Sequence, residues 1–416
     1  VPFLAVTLLV RVLTDDLSSP DSRHSGSLNM SGAIAALLIL VAVVMLIRGW
    51  RGTRVTALAL LWLGVWTAVA IVTRGASTET VREGVREASV LALAAIVYNA
   101  RGAVSPQIAT RLVQVLAFVP ALIALYQLAT HTGMNVTGEL RSNGTFAFPT
   151  SAAMFFAIAA TVSLWRYLHA GANRLDALLV VLFAVALIAT FSIDGLITLV
   201  AMLVALGLLR PGSWRVKMAP CLVAGVVALG FFATPLGSQR ISSEAATNVA
   251  ETEGGTSLAW RLHKWKMLLS QWERSPVLGR GLGTTLTVRA APGDRYSGKP
   301  PHNEYIRYLV ESGVIGMALL LIGLAALIRS LLRLWRRTGR LEAGAGGPGA
   351  RAHGLQAGAL GAPVLGIVVV LGCLVNALAD NTFINSPTCY AAALIVVAVL
   401  SLPSVDARLA LTDPAT

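Results

Sequence analysis

Charge is what this 416-residue chain has least of: 13% of its residues are Asp, Glu, Lys or Arg, against 56% hydrophobic. A soluble domain does not look like this; a polytopic membrane protein does, and the mean hydropathy of +0.72 agrees. Cysteine is also scarce. Cys221, Cys373 and Cys389 all lie in apolar runs, so neither a disulfide framework nor a Cys/His zinc spacing can be drawn from them. Acid is scarcer than base, with 20 Asp and Glu against 33 Lys and Arg. The resulting net charge of +13 could suggest nucleic acid, but the basic residues are dispersed between apolar segments. Anionic lipid headgroups and topology signals account for that excess, and nucleic acid is not an expected partner. No cleavable signal peptide is recognisable, because no small-residue cleavage site follows the first apolar run, Pro2 to Leu13. That run starts at Val1 and is short for a span, so the first helix is expected to be cut on its cytoplasmic side.

What the chain does have is a series of apolar segments. About twenty apolar residues cross a bilayer as a helix, fewer where a span is partly buried in protein. Spans are expected near 1–14, 32–48, 55–73, 88–100, 110–130, 150–167, 175–192, 194–209, 218–235, 304–328, 357–378 and 388–403. The fold class is therefore an all-α polytopic membrane protein of about 12 transmembrane helices. Arg48, Arg51 and Arg54, then Arg101 and Arg111, then Arg166 and Arg174, then Arg210, Arg215 and Lys217 fall on one side. The arginines from Arg329 to Arg351 join them, and the positive-inside rule puts both termini in the cytoplasm. The chain then divides into nine helices over 1–235, a long extracytoplasmic loop over 236–303, three helices over 304–403, and a cytoplasmic tail over 404–416. The glycine-rich EAGAGGPGARAHG after Arg340 reads as a flexible cytoplasmic linker.

The long outer loop opens with SSEAATNVAETEGGTS, small and polar, which reads as irregular. Its second part has a helical period. Leu258, Leu262, Trp265, Leu269 and Trp272 share one face, Arg261, Lys264 and Gln271 fall elsewhere, Ser257 is placed to cap, and Pro276 stops the helix. Tryptophans on one side and bases on the other suit an amphipathic helix on the outer membrane surface. The following VLGRGLGTT is a glycine-rich turn without the strand–helix context of a nucleotide loop.

The tenth segment begins oddly. PHNEYIRYLVESGVIG, residues 301–316, places His302, Glu304, Arg307 and Glu311 at the mouth of an apolar helix. Glu304, Tyr308, Glu311 and Ile315 share a face there, and Arg307 can pair with either glutamate. Ionisable groups inside a membrane are usually functional, and a local ion network easing the helix into the interface is the plainer alternative. Asn303 can cap this helix or touch substrate.

These residues carry a resemblance. HN, nine residues, then GVIG is similar to the signature of the O-antigen ligase family, which shares its core with O-antigen polymerases. RSNGTFAFPTSAA (141–153) resembles that family's arginine–glycine–phenylalanine–proline loop, and RLHKW followed by SPVLGRGLG (261–283) resembles its arginine–tryptophan and glycine-rich segment. Order, spacing and outward placement agree over roughly 110–330. The resemblance implies a glycosyltransferase of the bacterial inner membrane with an extracytoplasmic active site. It would move a glycan from a polyprenyl (undecaprenyl) diphosphate carrier to an acceptor hydroxyl on a lipid or glycan, with no cofactor and no metal. It assigns His302 as catalytic base, and Arg261 and Arg141 as diphosphate ligands. Arg240 is a further outward arginine available for the diphosphate, matching no motif.

The chemistry agrees with that assignment. A general base working near neutral pH is most simply a histidine. Guanidinium forks match phosphate oxygens. No Asp-x-Asp pair occurs in an outer segment, which argues against a metal-dependent transferase. One position departs from the family: FSIDGLITL has Ile193 and Asp194 where an arginine is common. Asp194 is left to accept from a sugar hydroxyl or to pair with an outer arginine. A ligase transferring a finished glycan is the leading reading, a polymerase extending the glycan on its carrier the alternative. A polysaccharide transporter or flippase is the reading from another class; no internal repeat supports it.

Overall fold

A computed structural model describes residues 1–16, 30–48, 54–75, 77–100, 103–136, 139–169, 173–210, 213–244, 258–287, 300–344 and 357–402. Each expected apolar segment holds a helix. In chain order these are α1 (Pro2–Leu13), α2 (Met30–Ile47), α3 (Arg54–Arg74), α4 (Thr78–Asn99), α5 (Pro106–Thr130), α6 (Pro149–His169), α7 (Arg174–Ala189), α8 (Ile193–Leu209) and α9 (Trp214–Phe232). Three short helices follow, α10 (Pro235–Glu244), α11 (Leu258–Trp272) and α12 (Thr284–Thr287). The long α13 (Glu304–Gly344) comes next, then α14 (Ala357–Asn376), a 3-10 turn (Thr382–Ile384) and α15 (Ser386–Leu400).

Among the described residues, four helices are long and apolar enough to cross a membrane, Met30–Ile47, Pro106–Thr130, Pro149–His169 and Glu304–Thr338, alongside several shorter apolar helices. Large apolar side chains stand bare on outer faces, with Ile47 78%, Val72 85% and Leu229 71% exposed. Water would penalise such surfaces; lipid does not. The chain is an all-helical multi-pass membrane protein. One departure from all-α is a small antiparallel hairpin between α5 and α6, β1 (Met134–Val136) with β2 (Glu139–Arg141), Met134 opposite Arg141.

The core is built around α6, buried along nearly its whole length and packed on α5, α7, α8 and α14. Its alanines allow close approach. A Cβ on Gly195 at the start of α8 would run into Ala153, so small residues on both sides set how near α8 comes. This fixes the height of Asp194, the residue before that glycine.

Several expected boundaries need correction. α4 begins at Thr78 rather than near 88, capped by Ser77, whose hydroxyl accepts from the Thr80 amide at 3.2 Å. Hydropathy misses these first turns because they carry Glu79, Arg82, Glu83, Arg86 and Glu87, yet Glu83 is fully buried. The polar start of the outer loop is helical up to Glu244 in α10, and Ser257 lies outside the described residues. α13 does not end near 328; it runs to Gly344 and so takes up the first residues of the expected linker, whose remaining residues, like the tail 404–416, lie outside those described.

Nor is α13 one unbroken helix. Gly313 stands at φ 63° and ψ −170°, outside the helical region and open chiefly to glycine. In a straight helix the amides of Val314 and Ile315 would bond the carbonyls of Val310 and Glu311. Instead, Val314 N–H donates to Pro276 O at 2.9 Å and Ile315 N–H to Val277 O at 3.2 Å. The freed carbonyls accept from Arg280 N–H at 2.9 Å and Gly281 N–H at 2.8 Å. Every backbone group exposed by the break is therefore paired with the segment 276–281. The contact needs bare backbone on both sides, since a Cβ on Gly279 would collide with Gly313 and one on Gly313 with Val277. The two glycine motifs of the sequence are the two halves of one joint.

Candidate active site

His302 lies just before α13, at the end of the bundle where α14 ends and α15 begins. Its backbone is left-handed, φ 52°, which is uncommon for a side chain branched only past Cβ and has to be held by its surroundings. The holding groups are specific. His302 N–H donates to Asn381 Oδ1 at 2.8 Å, and Trp265 of α11 donates its indole N–H to Pro301 O at 2.7 Å. Asn303 caps α13, its Oδ1 accepting from Ile306 N–H at 3.0 Å, while its Nδ2 donates to Leu378 O at 2.9 Å. Of its two readings the structure shows the cap.

These bonds lace residues 302–304 to the loop after α14, and the loop delivers a partner that no sequence motif singled out. Asp380 Oδ1 sits 2.9 Å from His302 Nδ1. Burial alone would raise the Asp380 carboxyl, but the hydrogen bond and charge of His302, with Arg261 nearby, hold it below the ordinary carboxylate range. Asn381 Nδ2 also lies 3.0 Å from Nδ1 and could donate only to a bare nitrogen. An ionised carboxylate facing Nδ1 requires the proton between them, so we assign it to Nδ1. That tautomer leaves Nε2 with a lone pair. The imidazole is 22% exposed, enough for a substrate to reach.

Arg261 arrives from α11. That helix turns the opposite face inward from the one expected of a surface-lying helix with solvated bases: Trp260, Arg261, Lys264 and Leu268 are buried, and Leu258 and Leu262 are exposed. Of the apolar stripe, Leu258 and Leu262 are exposed and Trp265, Leu269 and Trp272 half-buried, while Arg261 and Lys264 point into the protein. Trp260 meets His302 edge to face, with ring centroids 6.3 Å apart. Next to it, Arg261 forks onto Asp194 in the first turn of α8, Nη2–Oδ2 3.3 Å and Nη1–Oδ1 3.5 Å. Of the two readings for Asp194, the structure shows pairing with an arginine. Lys264, one turn on from Arg261 and off the apolar face by its helical period, is a buried cation.

Arg141 and Arg240 form a second group on the hairpin. Arg141 ends β2, is 3% exposed, and donates Nε–H to Thr190 O at 2.8 Å, while Ser142 N–H bonds Ala189 O at 3.1 Å. Arg240 of α10 reaches Glu139 on the same strand at 3.4 Å. The hairpin is thus pinned on the turn between α7 and α8, and Asp194 lies four residues after Thr190.

Glu304, Arg307 and Glu311 form a third group, and it is closed on itself. Arg307 Nη1 meets Glu304 at 3.0 Å, Nη2 meets Glu83 at 2.8 Å and Glu87 at 2.9 Å, and Nε meets Glu311 at 3.4 Å. Arg86 pairs with Glu83, and Tyr308 donates to Glu87 at 3.1 Å. The second oxygen of Glu304 accepts the amides of Phe383 at 2.9 Å and Ile384 at 3.2 Å. Glu311 accepts from the amide and hydroxyl of Thr285, at 3.2 and 2.6 Å. The group ties α4, α13, the glycine segment and the 3-10 turn together. Among the described residues, no group of three or more His, Cys, Asp and Glu is placed to hold a metal ion.

Residues 178–321 match the family model for O-antigen ligase. That span holds His302, Arg261, Arg240, Asp194 and the α13 part of the ion cluster, whereas Arg141 and Asp380 lie outside it. No curated protein matches the chain. The interlocked glycine joint, the histidine before α13 and the inward-facing Arg261 all lie in the matched region, and over that region the chain is similar to the O-antigen ligase family.

Proposed function

We propose that the chain is a ligase that transfers a glycan from a polyprenyl diphosphate carrier to an acceptor hydroxyl at the extracytoplasmic face of the bacterial inner membrane. The observation that carries this reading is the His302–Asp380 dyad standing next to buried Arg261 through Trp260. In the step, the acceptor hydroxyl oxygen bonds to the anomeric carbon of the glycan while the bond from that carbon to the diphosphate oxygen breaks. The hydroxyl proton passes to His302 Nε2, and the electron pair of the broken bond leaves with the lipid diphosphate. Asp380 orients the ring and balances the imidazolium. Arg261 and Arg141 face the growing negative charge of the leaving group, so they stabilise the transition state more than the ground state. Glu304 and Asn303 act through the backbone, holding the loop that carries Asp380.

No metal enters this scheme, so transfer is expected to survive a strong chelator; loss on chelation with recovery on adding a divalent ion would replace the mechanism. The test of the function itself is to incubate the purified full chain with carrier-linked glycan, with and without candidate lipid acceptor, and to size the products. A ligase joins one glycan to acceptor and needs it; longer carrier-linked glycan made without acceptor would establish the polymerase instead. His302→Ala should silence either reaction.

A further inference from the structure

The Arg261–Asp194 pair has a loose geometry. Its two contacts, 3.3 and 3.5 Å, are longer than the roughly 2.7–2.9 Å of a tight charge-assisted fork. Both partners are nearly enclosed, with side chains 9% and 11% exposed, so the length is not the looseness of two mobile surface chains. Each is instead held by something else. Asp194 is fixed at the start of α8, where Ser192 Oγ accepts from Gly195 N–H at 3.3 Å and Gly195 abuts Ala153. Arg261 is fixed by α11, whose Trp260 and Leu268 are buried and whose Trp265 is bonded to Pro301. The carboxylate presents two oxygens to the two terminal nitrogens of the guanidinium, which is also the face that a phosphate would take.

We propose that Asp194 is a latch on the diphosphate site: it occupies Arg261 in the empty enzyme and is displaced when a diphosphate arrives. This rests on Arg261 being the diphosphate ligand. A carboxylate carries one negative charge and a diphosphate more, so the exchange runs toward the ligand and reverses when the product leaves. The latch keeps a buried guanidinium compensated between turnovers, and it lowers the apparent affinity for any diphosphate. Asp194 is then a residue that sets donor affinity and product release.

Inorganic pyrophosphate is the probe, its binding measured on the purified full chain in nanodiscs alongside kcat and KM for the carrier-linked donor. If the latch is closed about nine-tenths of the time, opening it tightens apparent binding about tenfold. Asp194→Asn should therefore bind pyrophosphate about tenfold more tightly, with a lower donor KM and slower product release. Asp194→Glu, which keeps the charge, should tighten pyrophosphate binding less than Asp194→Asn does. Glu139→Gln removes a carboxylate that pairs with a different arginine, Arg240, and should weaken pyrophosphate binding by at most about fivefold rather than tighten it.

Three outcomes decide. If Arg261→Ala abolishes pyrophosphate binding while Asp194→Asn leaves it unchanged or weaker, Asp194 only positions Arg261 and the latch is wrong. A gain in Glu139→Gln equal to that in Asp194→Asn would make the effect a general one of charge, and would also overturn it. If Arg261→Ala binds pyrophosphate like wild type, the diphosphate role of Arg261 fails first, and the latch with it.

Discussion

Arg307 and Arg261 are both buried arginines facing carboxylates, and the protein uses them in opposite ways. Arg307 meets four glutamates, three of them at 2.8–3.0 Å, inside a knot that joins two long helices, a glycine segment and a loop. Arg261 forks loosely onto Asp194 and follows Trp260, which meets the His302 ring. Counting formal charges, the first group has Arg86 and Arg307 against Glu83, Glu87, Glu304 and Glu311, an excess of acid with no room for an anionic ligand. An arginine with all its nitrogens committed to the fold is architecture. One held by a longer fork to a single acid residue is the stronger candidate for a binding group.

The largest effect should come from breaking the knot. Arg307→Ala leaves four carboxylates buried without their common cation, and removing one side of a buried pair costs about 3–5 kcal/mol. We expect little folded protein, seen as aggregation on size exclusion and a lowered melting temperature. Folded, stable Arg307→Ala that had lost only turnover would move Arg307 into the chemistry and dissolve the comparison.

Next is the base. His302→Ala should insert and fold normally while transfer drops by roughly two to four orders of magnitude, the usual worth of a positioned general base. Asp380→Asn should cost at least about tenfold, because the amide can no longer fix the tautomer. Turnover of both variants within a few-fold of wild type would leave the dyad structural.

On the binding side, Arg261→Ala and Arg141→Ala should each cost about ten- to a hundredfold in turnover per folded molecule. Lysine should rescue poorly, since an ammonium cannot form the fork. The double variant should lose less than the sum if one diphosphate is shared. Full activity with lysine at both positions would show that charge alone matters.

How much of this was legible beforehand differs by residue. The helices were visible because lipid imposes long apolar runs, and His302, Arg261 and Arg141 stood out because they sit on motifs. Asp380 was not visible: it belongs to a short loop seventy-eight residues further along, and only the fold closes that distance. Its signal was a lone acid, in ALADN, in an otherwise apolar hairpin. The early start of α4 was hidden for a related reason. Hydropathy counts Glu83 and Glu87 as unfit for a buried helix, and cannot know that Arg307, more than two hundred residues away, neutralises them. The inverted face of α11 escaped because periodicity separates two faces but does not say which meets protein and which meets lipid.

The smallest effect should fall on Arg240, which tests whether the comparison has a middle case. Arg240 is as buried as Arg141, yet it approaches Glu139, itself 20% exposed, only to 3.4 Å. Glu139 lies two residues before Arg141 on the same strand, so Arg240 can act on the site by steadying the strand that presents Arg141. Partly solvated pairs of this kind contribute about 0–1 kcal/mol, which is at most about fivefold in rate. Arg240→Ala should therefore lower turnover two- to fivefold, about the same as Glu139→Gln, and the double variant should be no worse than either alone. Lysine at 240 should restore most of the loss, because steadying a strand asks for a cation and not for a fork. A loss as large as that of Arg261→Ala, unrelieved by lysine and additive with Glu139→Gln, would place Arg240 on the diphosphate with the other two.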